Sequence, residues 1–246
     1  MTRVAAVGDI HLGPDGGGLL RPAFDTLGAC ADLLLLAGDL TRRGTRREAR
    51  VVAREVAGLP VPVVAVLGNH DYESGEEAAV AEELRTAGAR VLEGEGVRLD
   101  LGGTTVGVAG TKGFGGGFAG RGGSEFGEEQ MKAFIRYSRT CAEGLGRALR
   151  DLRASGSGLC VALTHYAPVP DTLAGEPAEL FPFLGSSLLA EAMDAEGADL
   201  AVHGHAHLGT EHGRTAGGIP VRNVALPVIG RPFAVYRLTP HAGPAG

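Results

Sequence analysis

The sequence predicts an α/β protein, and two observations carry that expectation. Five short apolar runs, RVAAV, DLLLLA, VPVVAVL, GLCVAL and DLAV, each stop abruptly at a polar residue able to coordinate a cation. The stops are Gly8-Asp9, Gly38-Asp39, Gly68-Asn69-His70, Thr164-His165 and His203-Gly204-His205. Continuous apolar runs of this length suit strands buried on both faces of a helix-covered sheet, whose carboxyl ends are where open α/β sheets hold ligands. Between the runs, apolar residues recur every three or four positions, which is the helical period.

The first strand is RVAAV and the second DLLLLA. Residues 45–57, TRREARVVAREVA, put Ala49, Val52 and Val56 on one side and charges on the other, which predicts a helix. VPVVAVL follows as a third strand. Ser124 is expected to cap a long helix with Glu125, Glu128 and Glu129 in its first turn, the charge a helix N-terminus favours. Its apolar stripe is Met131, Phe134, Ile135, Cys141, Leu145, Leu149 and Leu152. GLCVAL, a helix over 186–196 and DLAV come next. IPVRNVAL and FAVYRL alternate more and read as antiparallel strands. With no break in composition and no internal repeat, one domain over residues 1–246 is expected.

Composition narrows the function. A net charge of -6 argues against a protein that coats nucleic acid through a broad basic surface, which needs many lysine and arginine contacts to phosphate. No segment approaches the roughly 20 apolar residues of a membrane span, and the N-terminus shows no cleavage signature. Cys30, Cys141 and Cys160 are too few and scattered for a disulfide framework and read as reduced residues of a cytoplasmic protein. The 41 glycines make any lone glycine weak evidence.

VHGHAHLG, residues 202–209, places histidines at every second position. In an extended segment such side chains leave the same face, and the small spacers leave the rings room. Collecting the strand ends gives Asp9, His11, Asp39, Asn69, His70, His165, His205 and His207. Carboxylate and imidazole donors with one amide suit Zn, Mn or Fe ions, divalent or trivalent. They are too many for one tetrahedral site. Two metals about 3.5 to 4 Å apart, sharing a carboxylate, would use them.

The segments GDIH (8–11), GDLTRRG (38–44), GNHD (68–71), the lone His165 and GHAH (204–207) resemble, in the same order, the D-x-H, GD, GNH[DE], H and GHxH blocks of the calcineurin-like metallophosphoesterases. That resemblance implies a four-layer αββα sandwich of two mixed sheets flanked by helices. It implies one metal on Asp9, His11 and His207, a second on Asn69, His165 and His205, and Asp39 bridging. His70 would stand over the substrate phosphate as the catalytic residue. A hydroxide bridging the metals would attack phosphorus in line. His203 then ends its strand and supports the ligands, and His212 and His241 lie in solvated segments.

The resemblance thins in instructive places. Protein phosphatases of the family carry GDxxDRG, whereas Arg42 stands here where the acidic residue belongs, and GNHE is GNHD. Tyr166 replaces the second histidine that cyclic-nucleotide diesterases often have. The expected substrate is therefore a small phosphodiester or phosphomonoester, with a Ser/Thr protein phosphatase or a catalytically silent scaffold as alternatives. Arg42, Arg43, Arg46 and Arg47 crowd a helix start, where positive charge opposes the dipole by about 0.3 to 1 kcal/mol each; Arg43 is the first candidate to attract an anionic substrate. Two loops could close over a ligand. Residues 113–123 carry Phe114, Phe118 and Arg121. Residues 168–187 carry Leu180, Phe181, Phe183 and Leu184, a lid or the contact of a homodimer.

Overall fold

A computed structural model describes residues 1–239. The chain runs β1 (Thr2–Val7), α1 (Arg21–Phe24), α2 (Leu27–Cys30), β2 (Leu33–Ala37), α3 (Arg46–Val56), β3 (Val63–Val66), α4 (Glu77–Thr86) and β4 (Arg90–Val91). There follow β5 (Glu95–Leu101), β6 (Thr104–Thr111), β7 (Gly117–Phe118), β8 (Arg121–Gly122), α5 (Glu129–Ala154), β9 (Leu159–Thr164) and α6 (Phe181–Leu184). The last elements are α7 (Ser187–Glu196), β10 (Leu200–His203), β11 (His212–Arg214), β12 (Pro220–Asn223), α8 (Leu226–Ile229) and β13 (Ala234–Leu238).

Two large sheets form, in the orders β13-β1-β2-β3-β4 and β11-β12-β10-β9-β6-β5, and β7 pairs with β8 in a small hairpin. β1 to β4 pair in parallel, with β13 antiparallel on β1. In the second sheet β6, β9, β10 and β12 are parallel, with β5 and β11 antiparallel at the edges.

Alternation explains why the strands are apolar throughout. Val4, Ala6, Leu33, Leu35, Val64 and Val66 meet Val106, Val108, Leu159, Val161, Leu163 and Val202 between the sheets. The alternate residues Ala5, Val7, Leu34, Leu36 and Ala65 instead pack on Ala49, Val52, Val56, Val80 and Leu84 of α3 and α4. On the far side Ala109, Cys160, Ala162 and Ala201 pack on Leu145, Leu149 and Leu152 of α5 and on Leu189 and Met193 of α7. Helix, sheet, sheet and helix are thus the layers, and the central strands β1, β2, β3, β9 and β10 are buried on both faces.

Local signals fared unevenly. Thr45 caps α3 in a capping box with Glu48, and the Ser186 side chain accepts from Leu188 N–H to start α7. Ser124 does not cap α5: that helix begins at Glu129 with Glu128 at the cap and no side-chain cap bond. IPVRNVAL is only half antiparallel, because β12 also lies parallel to β10. Of the arginines crowded at the start of α3, Arg46 has a partner on α4, donating to Glu83, which also accepts from Arg50 further along the helix. That pairing offsets the unfavourable helix dipole for Arg46. Cys30, Cys141 and Cys160 are free. No helix among the described residues is long and apolar enough to cross a membrane. His212 is exposed at the start of β11, while His241 lies outside the described residues.

Candidate metal centre

Every parallel strand of the central region ends at one rim. β1 delivers Asp9 and His11, β2 Asp39, β3 Asn69 and His70, β9 His165, and β10 His205 and His207. Asp9, His11 and His207 offer donor atoms that all lie within 4.8 Å of one another; so do His11, Asp39 and His70, and so do Asp39, His165 and His205. Asn69 joins the last set, its Oδ1 3.0 Å from His165 Nε2. The eight side chains collected from the sequence therefore meet, with Asp39 common to two sets.

Asp39 is 1% exposed. Its Oδ1 accepts His70 N–H at 2.9 Å and lies 3.3 Å from His165 Nε2, while Oδ2 is 3.7 Å from His11 Nε2 and 3.9 Å from His70 Nε2. Burial holds its carboxyl above the ordinary range, against the hydrogen bond from His70 N–H. A Cβ on Gly68 would overlap Asp39 Oδ1, so the glycine of GNHD is required by close approach.

Each imidazole is held so that one nitrogen faces the cup. His165 donates Nδ1–H to the Ala37 carbonyl at 2.9 Å, which leaves Nε2 free toward Asn69 and Asp39; burial pushes its pKa well down, so the ring is neutral. His70 Nδ1 lies 2.9 Å from the Arg42 carbonyl, to which it donates, leaving Nε2 on the cup side. His205 donates its backbone N–H to Asp9 at 2.9 Å and its ring stacks on Tyr166 at 4.3 Å. His203 is fully buried and bonds the Gly204 carbonyl and Thr172 Oγ1. Burial pushes it down to about 4, which suits a support of the GHAH turn.

Two features show that cations fit here. His11 Nε2 is buried without a hydrogen-bond partner, 3.7 Å from a carboxylate, a lone pair that a metal would satisfy. The non-glycine residues with positive φ among the described residues are Asp9 (56°), His11 (41°), Asp39 (50°) and His205 (71°), all of them donors in this cup. Left-handed backbone costs of the order of 1 to 3 kcal/mol per residue and concentrates where geometry serves function.

Asp71, which the sequence reading passed over although it completes GNHD, clamps two of these loops. It is fully buried and accepts from Leu40 N–H, Thr41 N–H, Thr41 Oγ1 and Gly68 N–H at 2.6 to 3.2 Å. Asp71→Ala strands those donors, so a loss of about 3 to 5 kcal/mol in unfolding free energy is expected, read from denaturant midpoints.

Protonation opposes loading. Burial pushes Asp9 up to about 6, and its hydrogen bond raises His207 above the ordinary imidazole range. Below about pH 6 both hold protons that a cation must displace, so affinity for Mn²⁺ is expected to fall steeply as pH drops from 7 to 5. Calorimetric titrations in buffers of different ionisation enthalpy would show the released protons.

The remaining expected residues lie at the margin. Arg43 donates to Glu73 at 3.2 Å and is exposed, and Glu73 in turn lies 3.6 Å from His70 Nδ1. In loop 113–123, Phe114 packs against Phe134, Tyr137 and Tyr166, and Phe118 is buried, while Arg121 is exposed on the β7–β8 hairpin. In segment 168–187 the Phe183 carbonyl lies 3.3 Å from His205 Nε2 and accepts from it, and the Leu180 and Phe183 side chains are 42% and 60% exposed.

The model of the calcineurin-like phosphoesterase family matches residues 2–209. The chain belongs to that family. No curated protein matches it in sequence. Phosphopantetheinyl hydrolase from Mycobacterium tuberculosis shares its fold at a TM-score of 0.63 and 13% identity, over 98% of each chain. A 5'-nucleotidase precursor from Thermus thermophilus shares it at 0.53 and 18% identity, over 90% of this chain and 48% of that one. At these identities the likeness is one of fold.

Proposed function

We propose that the chain is a single-domain, two-metal phosphoesterase of small phosphodiesters or phosphomonoesters. The observation that carries this reading is the place of Asp39, within donor reach of His11 and His70 from its own sheet and of His165 and His205 from the other. Asp9, His11 and His207 would hold one ion, Asn69, His165 and His205 the other, with Asp39 between. Mn, Fe or Zn suits such donors. When bound, the pair supplies positive charge against the phosphate oxygens and a nucleophile at neutral pH. His70 does the proton work: with Nδ1 tied to the Arg42 carbonyl, Nε2 delivers a proton to the leaving oxygen. Arg43, released from Glu73, would attract the anionic substrate.

Arg42 disfavours the protein-phosphatase reading, since its guanidinium packs over Gly13 rather than pairing as an acidic residue would. A silent scaffold would not keep four donors in left-handed backbone. Exposed Leu180 and Phe183, beside His205, are proposed as a lid over substrate or the contact with a second copy. The cytoplasm is the proposed compartment of a chain with three free cysteines. Mn-loaded protein assayed on p-nitrophenyl phosphate and bis-(p-nitrophenyl) phosphate tests the reading: hydrolysis that ends on chelation supports it, and hydrolysis that persists without metal refutes it.

A further inference from the structure

One more parallel strand ends at the rim of the cup. β6 lies beside β9, with Thr111 paired to Thr164, and so brings Lys112 next to His165. The Lys112 carbonyl accepts both His165 N–H and Tyr166 N–H at 3.0 Å. The residue is 4% exposed, yet its ammonium has no hydrogen bond or salt bridge among the described residues. Four rings surround it instead, Phe114 at 4.8 Å, Tyr72 at 5.0 Å, Tyr137 at 5.1 Å and Tyr166 at 5.4 Å from Nζ to centroid. One of those rings borders the cup: Tyr166 packs on His205 at 4.3 Å.

Nearby Glu93 is already engaged, accepting Thr111 Oγ1 at 2.7 Å, Lys112 N–H at 3.2 Å and Tyr72 Oη at 3.3 Å. The lysine charge is therefore shielded by ring faces but not matched by a bonded carboxylate, and the Tyr166 ring that it faces at 5.4 Å packs in turn on His205. Burial is the main influence on its ammonium and lowers its pKa, with Cys141, Glu93 and Asp39 acting the other way. A buried cation costs solvation; the four ring faces offset part of that cost, and no bonded carboxylate offsets the rest.

We propose that Lys112 is a specificity residue for phosphomonoesters, whose dianion carries one more negative charge than a diester and gains the more from a cation outside the metal ligands. The proposal rests on the phosphoesterase reading. Acting through space rather than by a hydrogen bond, one added unit of negative charge beside a partly shielded cation corresponds to roughly 10- to 100-fold in affinity. Lys112→Met keeps the length and apolar stem that the rings enclose, and Lys112→Gln is the second variant should the first fail to fold. In Mn-loaded protein both are expected to lose roughly 10- to 100-fold in kcat/KM on p-nitrophenyl phosphate and to weaken inorganic phosphate binding, read by calorimetry, by a similar factor. Activity on bis-(p-nitrophenyl) phosphate and metal content should stay as in the wild type. Equal losses on both esters, or unchanged phosphate affinity in a folded variant, would overturn the assignment. Should the wild type hydrolyse neither ester, the phosphoesterase reading fails, while phosphate affinity still judges Lys112.

Discussion

Asp39→Asn is expected to lower hydrolysis by at least about 1,000-fold, because the charge stabilisation a metal pair supplies amounts to several kcal/mol and this carboxylate, within donor reach of His11 on one side and of His165 and His205 on the other, is the proposed bridge. Asparagine is nearly isosteric and its carbonyl can still accept His70 N–H, so the loops should keep their places. The carboxyl it replaces is desolvated, with its pKa raised by burial, so the metal-free variant should unfold no more easily than the wild type. Loss of activity thus comes with loss of metal rather than loss of fold. Inductively coupled plasma analysis beside circular dichroism separates the two, and a variant that holds two ions and wild-type activity would contradict the bridging role.

The second large effect concerns the proton. His70→Ala should reduce kcat by about 100- to 10,000-fold, the usual contribution of a positioned general acid, while metal content stays constant. Constancy is expected because its Nδ1 is tied to the Arg42 carbonyl and the two proposed ligand sets hold the ions without it. The leaving group supplies the decisive comparison. An alkyl phosphate, whose departing oxygen needs a proton, should suffer far more than p-nitrophenyl phosphate; equal losses would point to a charge-stabilising role instead.

Much of this site was legible because ligands sit where strands stop. The abrupt end of an apolar run is a local signal, and the blocks at Asp9, Asp39, Asn69, His165 and His205 each carried one. What stayed hidden lay in strands without that signature. β5 and β6 are a hairpin, VRLDL and TTVGVAGT joined by Gly102-Gly103, and in β5 exposed residues alternate with partly buried ones, so the pair does not read as a continuous apolar run. Missing β6 meant missing Lys112 at its end. Asp71 was overlooked for another reason: its four partners come from residues 40, 41 and 68, a convergence that only the packed loops reveal. Ser124 misled because acidic residues spread over 125–129 suit a helix start at more than one register.

The spread of the donors along the chain has a temporal meaning. Asp9 and His207, 198 positions apart, can grip one ion together only after β10 has joined its sheet. A chain emerging from the ribosome would thus expose Asp9, His11, Asp39, Asn69 and His70 long before their partners exist. Should the proposed sets hold the ions, metal capture follows the docking of β10, and any product cut short before residue 203 should be inert.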